Sequence, residues 1–318
     1  MANQLDFVTV DVFTKTPYKG NPLGIVHLPP PTATSPPLTQ EQKQTIAREF
    51  NLSETVFIHD VDPENDVEPQ TRSIDIFLTT IEIPFGGHPT IGTACYLQSK
   101  GITKLITKAG PIPITSGPEN VVSASIPHNT HLHSKTIGDL DPDSHEGLHP
   151  APEIRNAELT APLFSPVHGI TFALVRLPSI EILSRVFVSS FKFKAEELND
   201  FAWSNPFMAR SYYLITGSSV SDSVRHVKIR TRMIAPNMED PATGAAACAL
   251  TSYLALHEFE EAEILYELTQ GVEMGRESEI SVRVKVNVDE KGQRKIDEVH
   301  LGGTARQIMK GTLNVPPL

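Results

Sequence analysis

Met238-Glu-Asp-Pro-Ala-Thr-Gly-Ala-Ala-Ala-Cys-Ala-Leu250 places an acidic pair, a proline and a glycine directly before a run of small apolar residues. Asp240 is a good helix N-cap and Pro241 fits the first helical position, so this stretch predicts a helix that continues to about Leu256. The helix is apolar on nearly every side, which predicts that it is buried. The free N–H groups and the positive dipole end at its start then form a natural site for an anion.

A second stretch has the same character. Gly86-Gly-His-Pro-Thr-Ile-Gly-Thr-Ala-Cys-Tyr-Leu97 also runs from glycine and proline into a small, apolar helix. The same Ala, Cys and Leu follow Thr90 and Thr243 at the same offsets, and the two threonines are about half the chain apart. This repetition predicts a duplicated unit. We therefore expect two pseudo-symmetric domains, each built round a buried helix whose N-terminus faces the other domain across a cleft.

The strand pattern supports an α+β fold class. Many short predicted strands accompany a single apolar helix in each half, instead of the strand–helix alternation of a doubly wound sheet. Residues 128–160 are rich in Pro, Asp, His and Glu and have few large apolar residues. We therefore predict an N-terminal domain over 1–130, a linker over 131–160 and a C-terminal domain over 161–318. The sequence leaves open whether the last strands return to the N-terminal domain.

Composition limits the class of function. The net charge of −11 argues against nucleic-acid binding, which needs a basic face. No stretch approaches the ~18 apolar residues of a membrane-spanning helix, and the N-terminus has neither the basic region nor the apolar segment of a signal peptide. Two cysteines, both in alanine-containing helices, indicate a reducing compartment without a disulfide framework. These features predict a cytoplasmic protein that binds neither nucleic acid nor membrane.

Histidines are concentrated in the segment predicted to be a linker. The spacing of His128, His131, His133, His145 and His149 fits no regular metal-ligand pattern. We therefore expect these five histidines to be solvated, and we predict no metal site.

Three titratable residues are candidates for chemistry: Glu54, His88 and Asp240. In a predicted strand from Leu52 to Ile58, Glu54 shares the face of apolar residues, where desolvation would raise its pKa toward the range of a general acid–base. Each candidate also has a structural alternative. Glu54 could pair with an arginine at a strand end, His88 could cap its helix, and Asp240 could be no more than an N-cap.

The cysteines separate two mechanisms. A two-thiol racemase needs opposed cysteines at the two helix starts, but Cys95 and Cys248 are each a turn or two inside their predicted helices. Both are expected to be buried packing residues without a base beside them.

Several motifs carry a resemblance to a known family. They are Asp11-Val-Phe-Thr with Gly20-Asn-Pro22, Asn51-Leu-Ser-Glu-Thr-Val-Phe57, Ile83-Pro-Phe-Gly-Gly-His-Pro-Thr-Ile-Gly92, Glu239-Asp-Pro-Ala-Thr-Gly244 and Gln270-Gly-Val-Glu-Met-Gly-Arg276. In this order and combination, the chain resembles the PhzF family of phenazine biosynthesis over nearly its whole length. The resemblance implies a diaminopimelate-epimerase-like fold, usually a homodimer, and an isomerase that moves a proton on carbon without a metal or an organic cofactor.

The resemblance also implies roles for residues. Glu54 becomes the acid–base group, and His88 and Asp240 complete the catalytic set. The implied binding residues for a small anionic substrate are Ser53, Gly87, Gly244 and Ala245. The family commonly has serine where this chain has Ala245, so a hydroxyl that could bind a substrate carboxylate is lost while the backbone N–H remains.

The expected function is therefore cofactor-independent isomerisation of a small, carboxylated, cyclic metabolite. Two alternatives stay open: a cofactor-independent racemase or epimerase, and a metabolite-binding dimer without turnover. The intact set of Glu54, His88 and Asp240 argues against the second alternative, because a protein that has lost its activity is free to lose its acid–base group.

Overall fold

The structure is a computed structural model that describes residues 4–32, 36–62, 66–189, 191, 195–203 and 207–317. The elements of the first part of the chain are, in order, β1 (Gln4–Val12), β2 (Asn21–Leu28), α1 (Gln40–Phe50), β3 (Thr55–His59), β4 (Thr71–Phe77), β5 (Glu82–Ile83), α2 (Gly87–Leu97), β6 (Lys104–Thr107), β7 (Gly110–Ser116) and β8 (Val122–Ser125).

The remaining elements are β9 (His131–Leu132), α3 (Pro152–Thr160), β10 (Leu163–Val167), β11 (Ile170–Arg176), α4 (Ile180–Ser184), α5 (Ala195–Leu198), β12 (Met208–Ser221), β13 (Val224–Ala235), β14 (Met238–Asp240), α6 (Gly244–His257), β15 (Glu263–Gln270), β16 (Ser278–Val288), β17 (Arg294–Gly303) and β18 (Ala305–Asn314). The chain forms two compact units: unit 1 comprises residues 1–125 and 302–318, and unit 2 comprises residues 126–301.

Unit 1 is a sheet packed on one buried helix. β1 lies between β2 and β18 and is antiparallel to both, and β2 continues the sheet through a parallel pairing with β3. α2 packs against these strands and is buried from Gly87 to Ala94. Gly92 permits the close approach, because a Cβ there would lie 2.6 Å from side-chain atoms of Leu23 and Val12.

The first helix of the chain, α1, is capped by residues at both of its ends. Thr39 and Gln42 form a capping box, in which the Gln42 N–H donates to the Thr39 side chain and the Thr39 N–H donates to the Gln42 side chain. Asn51 ends α1 in the left-handed conformation, and Ile46 and Ala47 are buried. This ending directs the chain toward β3, with Glu54 immediately before it.

Unit 2 likewise has strands packed on one buried apolar helix. β10 and β11 are antiparallel, β11 and β12 parallel, β12 and β13 antiparallel, and β13 also pairs in parallel with β15. α6 packs against β10, β11, β15 and β16, and ten of its fourteen residues are buried. The predicted α+β class and the predicted burial of both apolar helices are therefore confirmed.

The start of α6 differs from the prediction. The helix begins at Gly244 with Thr243 at the N-cap position. Asp240 is therefore not the N-cap, and Pro241 is not the first helical residue. Asp240 instead ends β14, where it pairs with Met233 of β13. Strand pairing satisfies the backbone at Asp240, and the helix can begin only after the turn that follows.

Two further sequence-based assignments need correction. Glu54 is not inside a strand, because β3 begins at Thr55, and the alternation argument for its apolar face does not apply. Thr90 lies inside α2 whereas Thr243 precedes α6, so the two threonines are not at equivalent helix positions. The superposition of the two units stays a prediction.

Residues 131–160, expected to be a linker, are packed into unit 2. Ile137, Leu148 and Ile154 belong to a buried cluster with strand residues of that unit. α3 also buries Glu158, which pairs with Arg210 at 2.7 Å between Oε1 and Nη1. The low hydrophobicity of the segment hid this packing, because a few large apolar residues and one buried ion pair are enough to fix it.

Of the helices in the described part of the chain, none combines the length and the apolarity that a membrane span requires.

Candidate active site

Glu54 and His88 form the centre of the site in unit 1. His88 is in the first turn of α2 and is buried, and its Nδ1 lies 3.0 Å from Oε2 of Glu54. The other ring nitrogen, Nε2, lies 3.2 Å from the carbonyl oxygen of Asn21. Both ring nitrogens therefore have partners, which hold the imidazole in one orientation.

The partners of His88 determine where its protons lie. A carbonyl oxygen can only accept, so Nε2 must carry a hydrogen and donate it to Asn21. If the ring were neutral, Nδ1 would have only a lone pair, and the contact with Glu54 would require a protonated carboxyl group. The pair therefore holds one proton between its two members, either on Glu54 or on His88 as an imidazolium.

The charge of His88 decides between the two states. Burial pushes the pKa of Glu54 upward, but the charge of His88 and hydrogen bonds from His88 and Ser53 outweigh it, so this pKa is lowered. The lowered pKa favours the carboxylate form of Glu54, and beside a carboxylate Nδ1 of His88 carries a hydrogen. Desolvation raises the pKa of Glu54, as predicted, but the net direction is the opposite of the predicted one, because sequence could not show the His88 and Ser53 side chains beside it.

Asn21 was not predicted as a site residue, although it is part of a motif that carries the family resemblance. It begins β2 directly after Gly20, whose φ of +68° and close approach to the Val12 carbonyl exclude a side chain at that position. This turn directs the Asn21 carbonyl toward His88. The Asn21 side chain also accepts a long hydrogen bond, 3.5 Å, from the Ser53 hydroxyl.

The start of α2 provides the anion-binding features expected from the sequence. Gly87 is its first residue and Gly86 is the N-cap, with no side chain of the described residues capping the helix. The N–H groups of this first turn and the helix dipole favour a negatively charged group. Gly87 thus directly precedes His88 in the chain and lies at the helix end that favours an anion.

A second cluster of predicted residues lies in unit 2, at the start of α6. The Thr243 hydroxyl donates to Oδ2 of the buried Asp240 at 2.6 Å. Gly244, the first residue of the helix, is buried, and Ala245 is partly exposed. Here too no side chain of the described residues caps the helix, which leaves its N-terminus suited to an anion.

Gln270 organises this second cluster and was missed in the sequence. Its side-chain N–H groups donate to the Asp240 carbonyl at 2.8 Å and to the Thr243 hydroxyl at 3.0 Å, and its oxygen accepts from the Thr243 N–H. The side chain is buried at the end of β15. The only sequence signal was its place in the motif from Gln270 to Arg276.

The two thiols are poor nucleophiles. Burial raises the pKa of Cys95 to about 12, and burial likewise raises the pKa of Cys248 to about 12. The Cys95 Sγ–H donates to the Gly303 carbonyl at 3.7 Å. These contacts support the prediction that both cysteines are packing residues.

The predicted residues thus fall into two clusters, one in each unit. Ser53, Glu54 and His88 are together in unit 1 with Gly87, and Asp240 and Gly244 are together in unit 2 with Ala245. Neither His88 nor Asp240 occupies the N-cap position of its helix, because the N-caps are Gly86 and Thr243. Glu54 is paired, as one alternative proposed, but its partner is a histidine and not an arginine.

These observations define an α+β protein with a carboxylate–imidazolium pair at the start of a buried helix. The family model described as phenazine biosynthesis-like protein matches residues 10–311. The chain therefore belongs to the phenazine biosynthesis-like, or PhzF, family, and the resemblance expected from its motifs is confirmed.

Individual relatives agree over nearly the full length. An uncharacterized isomerase of Mesorhizobium japonicum is 29% identical over 97% of this chain and 98% of its own length. The trans-2,3-dihydro-3-hydroxyanthranilate isomerase of Pseudomonas chlororaphis is also 29% identical, over 96% of this chain and 98% of its own. The crystal structure of a PhzF-family protein of Bacillus anthracis is 19% identical with a TM-score of 0.70, covering 98% of this chain and 99% of the other. The chain is an enzyme of the isomerase class.

Proposed function

We propose that this isomerase moves a proton between two carbons of a small, carboxylated, cyclic metabolite, with Glu54 as the general acid–base. The observation that carries the proposal is the Glu54–His88 pair at the start of α2, in which a partly exposed carboxyl group meets a buried imidazole with 3.0 Å between Nδ1 and Oε2. Glu54 supplies a carboxylate that can accept a proton. The adjacent His88, when protonated, stabilises the negative charge of that carboxylate.

The proton balance of the reaction follows from this pair. The Glu54 carboxylate removes a proton from a carbon that is acidified by its conjugation, and the electrons of that C–H bond shift into the conjugated system. Glu54, now protonated, returns the proton to another carbon of the same system. No electron is gained or lost, so the step needs neither an oxidant nor a reductant.

His88 acts through Glu54 in this proposal. Its positive charge keeps the pKa of Glu54 low, so the base is ionised when the substrate arrives. While Glu54 is protonated, the imidazolium has lost its counter-ion, which favours prompt return of the proton to the substrate. His88 therefore sets the lifetime of protonated Glu54 as well as its position.

The substrate anion would bind to a helix N-terminus. In unit 1 the first turn of α2, at Gly87, carries backbone N–H groups that suit an anion, and in unit 2 the first turn of α6, at Gly244, does so too. Ala245 would contribute only its N–H, and Ser53 a hydroxyl group close to Glu54. Because Ala245 lacks the serine hydroxyl common in the family, we expect a weaker hold on the carboxylate or a different substrate acid.

A racemase or epimerase is the second candidate, and a thiol-based version of it is disfavoured. The pKa values of Cys95 and Cys248 are raised to about 12, so almost no thiolate would exist at neutral pH. A non-catalytic, metabolite-binding role would leave the Glu54–His88 pair without a purpose. The homodimer implied by the family stays part of the proposal, and sedimentation at several protein concentrations tests it.

The first test is turnover by a Glu54→Gln variant. Trans-2,3-dihydro-3-hydroxyanthranilate is the first substrate to try, because it is the substrate in the name of a full-length relative. The introduced glutamine side chain keeps the shape but cannot take up a proton, so we expect turnover to fall by at least about 100- to 10,000-fold. Substrate binding, measured by calorimetry, should remain nearly unchanged.

Two controls make this test decisive. Glu49→Gln changes an exposed glutamate of the preceding helix and should retain wild-type turnover. Reaction in deuterated water should introduce deuterium into the product. The amount of deuterium measures how often the proton on Glu54 exchanges with solvent before Glu54 returns it to the substrate. If Glu54→Gln keeps wild-type turnover on a confirmed substrate, Glu54 is structural and the proposal fails.

A further inference from the structure

His131, His133 and Asp200 form a cluster of potential metal ligands in unit 2, which we call the two-histidine cluster. One nitrogen from each histidine and one carboxylate oxygen of Asp200 all lie within 4.8 Å of one another. Sequence spacing could not show this, because Asp200 follows the histidines by a long stretch of chain. The cluster belongs neither to the Glu54–His88 pair nor to the Asp240 cluster.

The strand geometry places the two histidines together. His131 is the first residue of β9, whose pairing with β10 sets it opposite Ser165. His133 follows β9 directly, and its N–H donates to the Leu163 carbonyl at 2.9 Å. Both imidazoles lie close to Asp200, with His133 buried and His131 partly exposed.

His133 and Asp200 are each oriented by a further hydrogen bond, and the His131 ring is stacked on Trp203. Nε2 of His133 lies 2.9 Å from the Ser165 hydroxyl, and its Nδ1 accepts from the Asp200 N–H at 3.1 Å. The Ser134 hydroxyl donates to Oδ1 of Asp200, which leaves Oδ2 facing Nε2 of His131 at 2.7 Å. Metal-binding histidines and carboxylates typically have such outer partners, which fix the ring orientation.

We propose that the two-histidine cluster binds one divalent transition-metal ion, with Zn²⁺ as the best chemical match. The ligand atoms would be Nε2 of His131, Nδ1 of His133 and Oδ2 of Asp200. Two imidazole nitrogens and one carboxylate oxygen are a ligand set that suits zinc, and water completes a four-coordinate site. The ion would take the place of the proton between His131 and Asp200. It would also replace the hydrogen bond from the Asp200 N–H to Nδ1 of His133.

The required movement is small. Ligands at about 2.0–2.1 Å from a zinc ion lie roughly 3.4 Å from one another. The side chains of His131 and Asp200 are 31% and 32% exposed, so both can rotate toward the buried His133. The bound ion would tie β9 to the short helical turn that follows Asp200.

Trp203 lies beside the two-histidine cluster, and its fluorescence can report metal binding there. It is the only tryptophan of the sequence, and its ring stacks on His131 at 4.7 Å and on His168 at 3.8 Å between centroids. A paramagnetic ion such as Co²⁺ bound to His131 would quench its fluorescence. Zn²⁺ should compete with this quenching.

The test uses the full chain without an affinity tag. We expect Co²⁺ to quench Trp203 saturably at one equivalent, an excess of Zn²⁺ to reverse the quenching, and calorimetry to give one Zn²⁺ per chain. His131→Ala and Asp200→Asn should each lower Zn²⁺ affinity at least about tenfold, and Ser165→Ala, which removes an outer partner, by about 10- to 100-fold.

His145→Ala is the matched control, because His145 is in the same histidine-rich segment and bonds to the Ile137 carbonyl outside the cluster. It should bind Zn²⁺ as the wild type does. Circular dichroism checks the fold of every variant, and Ser165→Ala and Asp200→Asn decide the matter if His131→Ala does not fold. Absence of stoichiometric Zn²⁺ binding by the wild type, or equal binding by the folded cluster variants, would overturn the proposal and leave the cluster as a hydrogen-bonded connection.

Discussion

His88 controls the charge of Glu54 through one contact at each ring nitrogen. The Asn21 carbonyl keeps a proton on Nε2, and Glu54 faces Nδ1. Burial by itself would raise the pKa of this carboxyl group, yet the net effect is a lowered pKa. The ionised state of the proposed base therefore depends mainly on His88, with a smaller contribution from the Ser53 hydroxyl.

Replacement of His88 by Asn should shift the pH dependence of catalysis. Asn keeps a hydrogen bond but carries no charge, so burial then dominates and the pKa of Glu54 rises. Because the base works only when deprotonated, activity is lost as pH falls through this pKa. We expect the acid limb of kcat/KM, measured against pH, to move to higher pH than in the wild type.

His59→Asn is the control for this shift. His59 ends β3 and pairs with Asp75 at 2.9 Å, so its replacement also removes an imidazole from unit 1 but leaves Glu54 with His88. Its acid limb should coincide with that of the wild type. An unchanged acid limb in a folded His88→Asn variant would show that His88 does not set the pKa of Glu54.

At the scale of elements, α2 and α6 combine two structural features. Their buried surfaces form the centre of each unit, and their first turns present glycines and N–H groups without a capping side chain among the described residues. A buried helix start must have its N–H groups satisfied, and a bound anion can do this. In the proposed function, the small residues that let the helices pack closely would also let the substrate anion approach the helix starts.

The cysteines of these helices test whether packing and chemistry are separate. Replacing Cys95 and Cys248 together by Ala removes one partly buried and one buried sulfur atom, which should lower the free energy of unfolding by roughly 1–3 kcal/mol. Turnover should survive, because both thiols are held protonated by burial. Denaturant unfolding and a turnover assay measure the two effects, and a folded double variant without any activity would revive the thiol-based racemase.

At the scale of the whole molecule, the two ends of the chain meet in one sheet. β18, the last strand, pairs with β1 over its whole length, with Gln4 opposite Asn314 and Val12 opposite Ala305. β1 also pairs with β2, which begins at Asn21 and carries the carbonyl that orients His88. Completion of unit 1 therefore requires the last residues of the chain.

A chain that ends at Thr304 should fail to form a stable unit 1. The loss of β18 exposes one edge of β1 and removes the packing of a ten-residue strand. A typical domain has a total stability of only about 5–15 kcal/mol, so this loss is large in comparison. We expect loss of cooperative unfolding for unit 1 and aggregation, observed by circular dichroism and size-exclusion chromatography. A chain that ends at Asn314 keeps β18 and should remain folded; cooperative unfolding of the shorter chain would refute the requirement.

Much of the local structure was predictable because its causes are local. The capping box of Thr39 and Gln42, the left-handed ending of α1 at Asn51 and the burial of the two apolar helices all follow from neighbouring residues. The motifs also brought Glu54, His88 and Asp240 to attention. Boundaries were less predictable, as the start of β3 after Glu54 and the start of α6 after Asp240 show, because pairing with distant strands decides them.

The sequence by itself determined the α+β class, the family and the identity of the acid–base candidate. Only the tertiary structure decided that His88 and the Asn21 carbonyl hold one proton beside Glu54, and that Asp200 joins His131 and His133. The physical reason is that a charge or a ligand acts over a few ångströms, whereas these partners are far apart along the chain. Packing of strands and helices brings them together, and the resulting electric field reversed the pKa shift that burial by itself predicts.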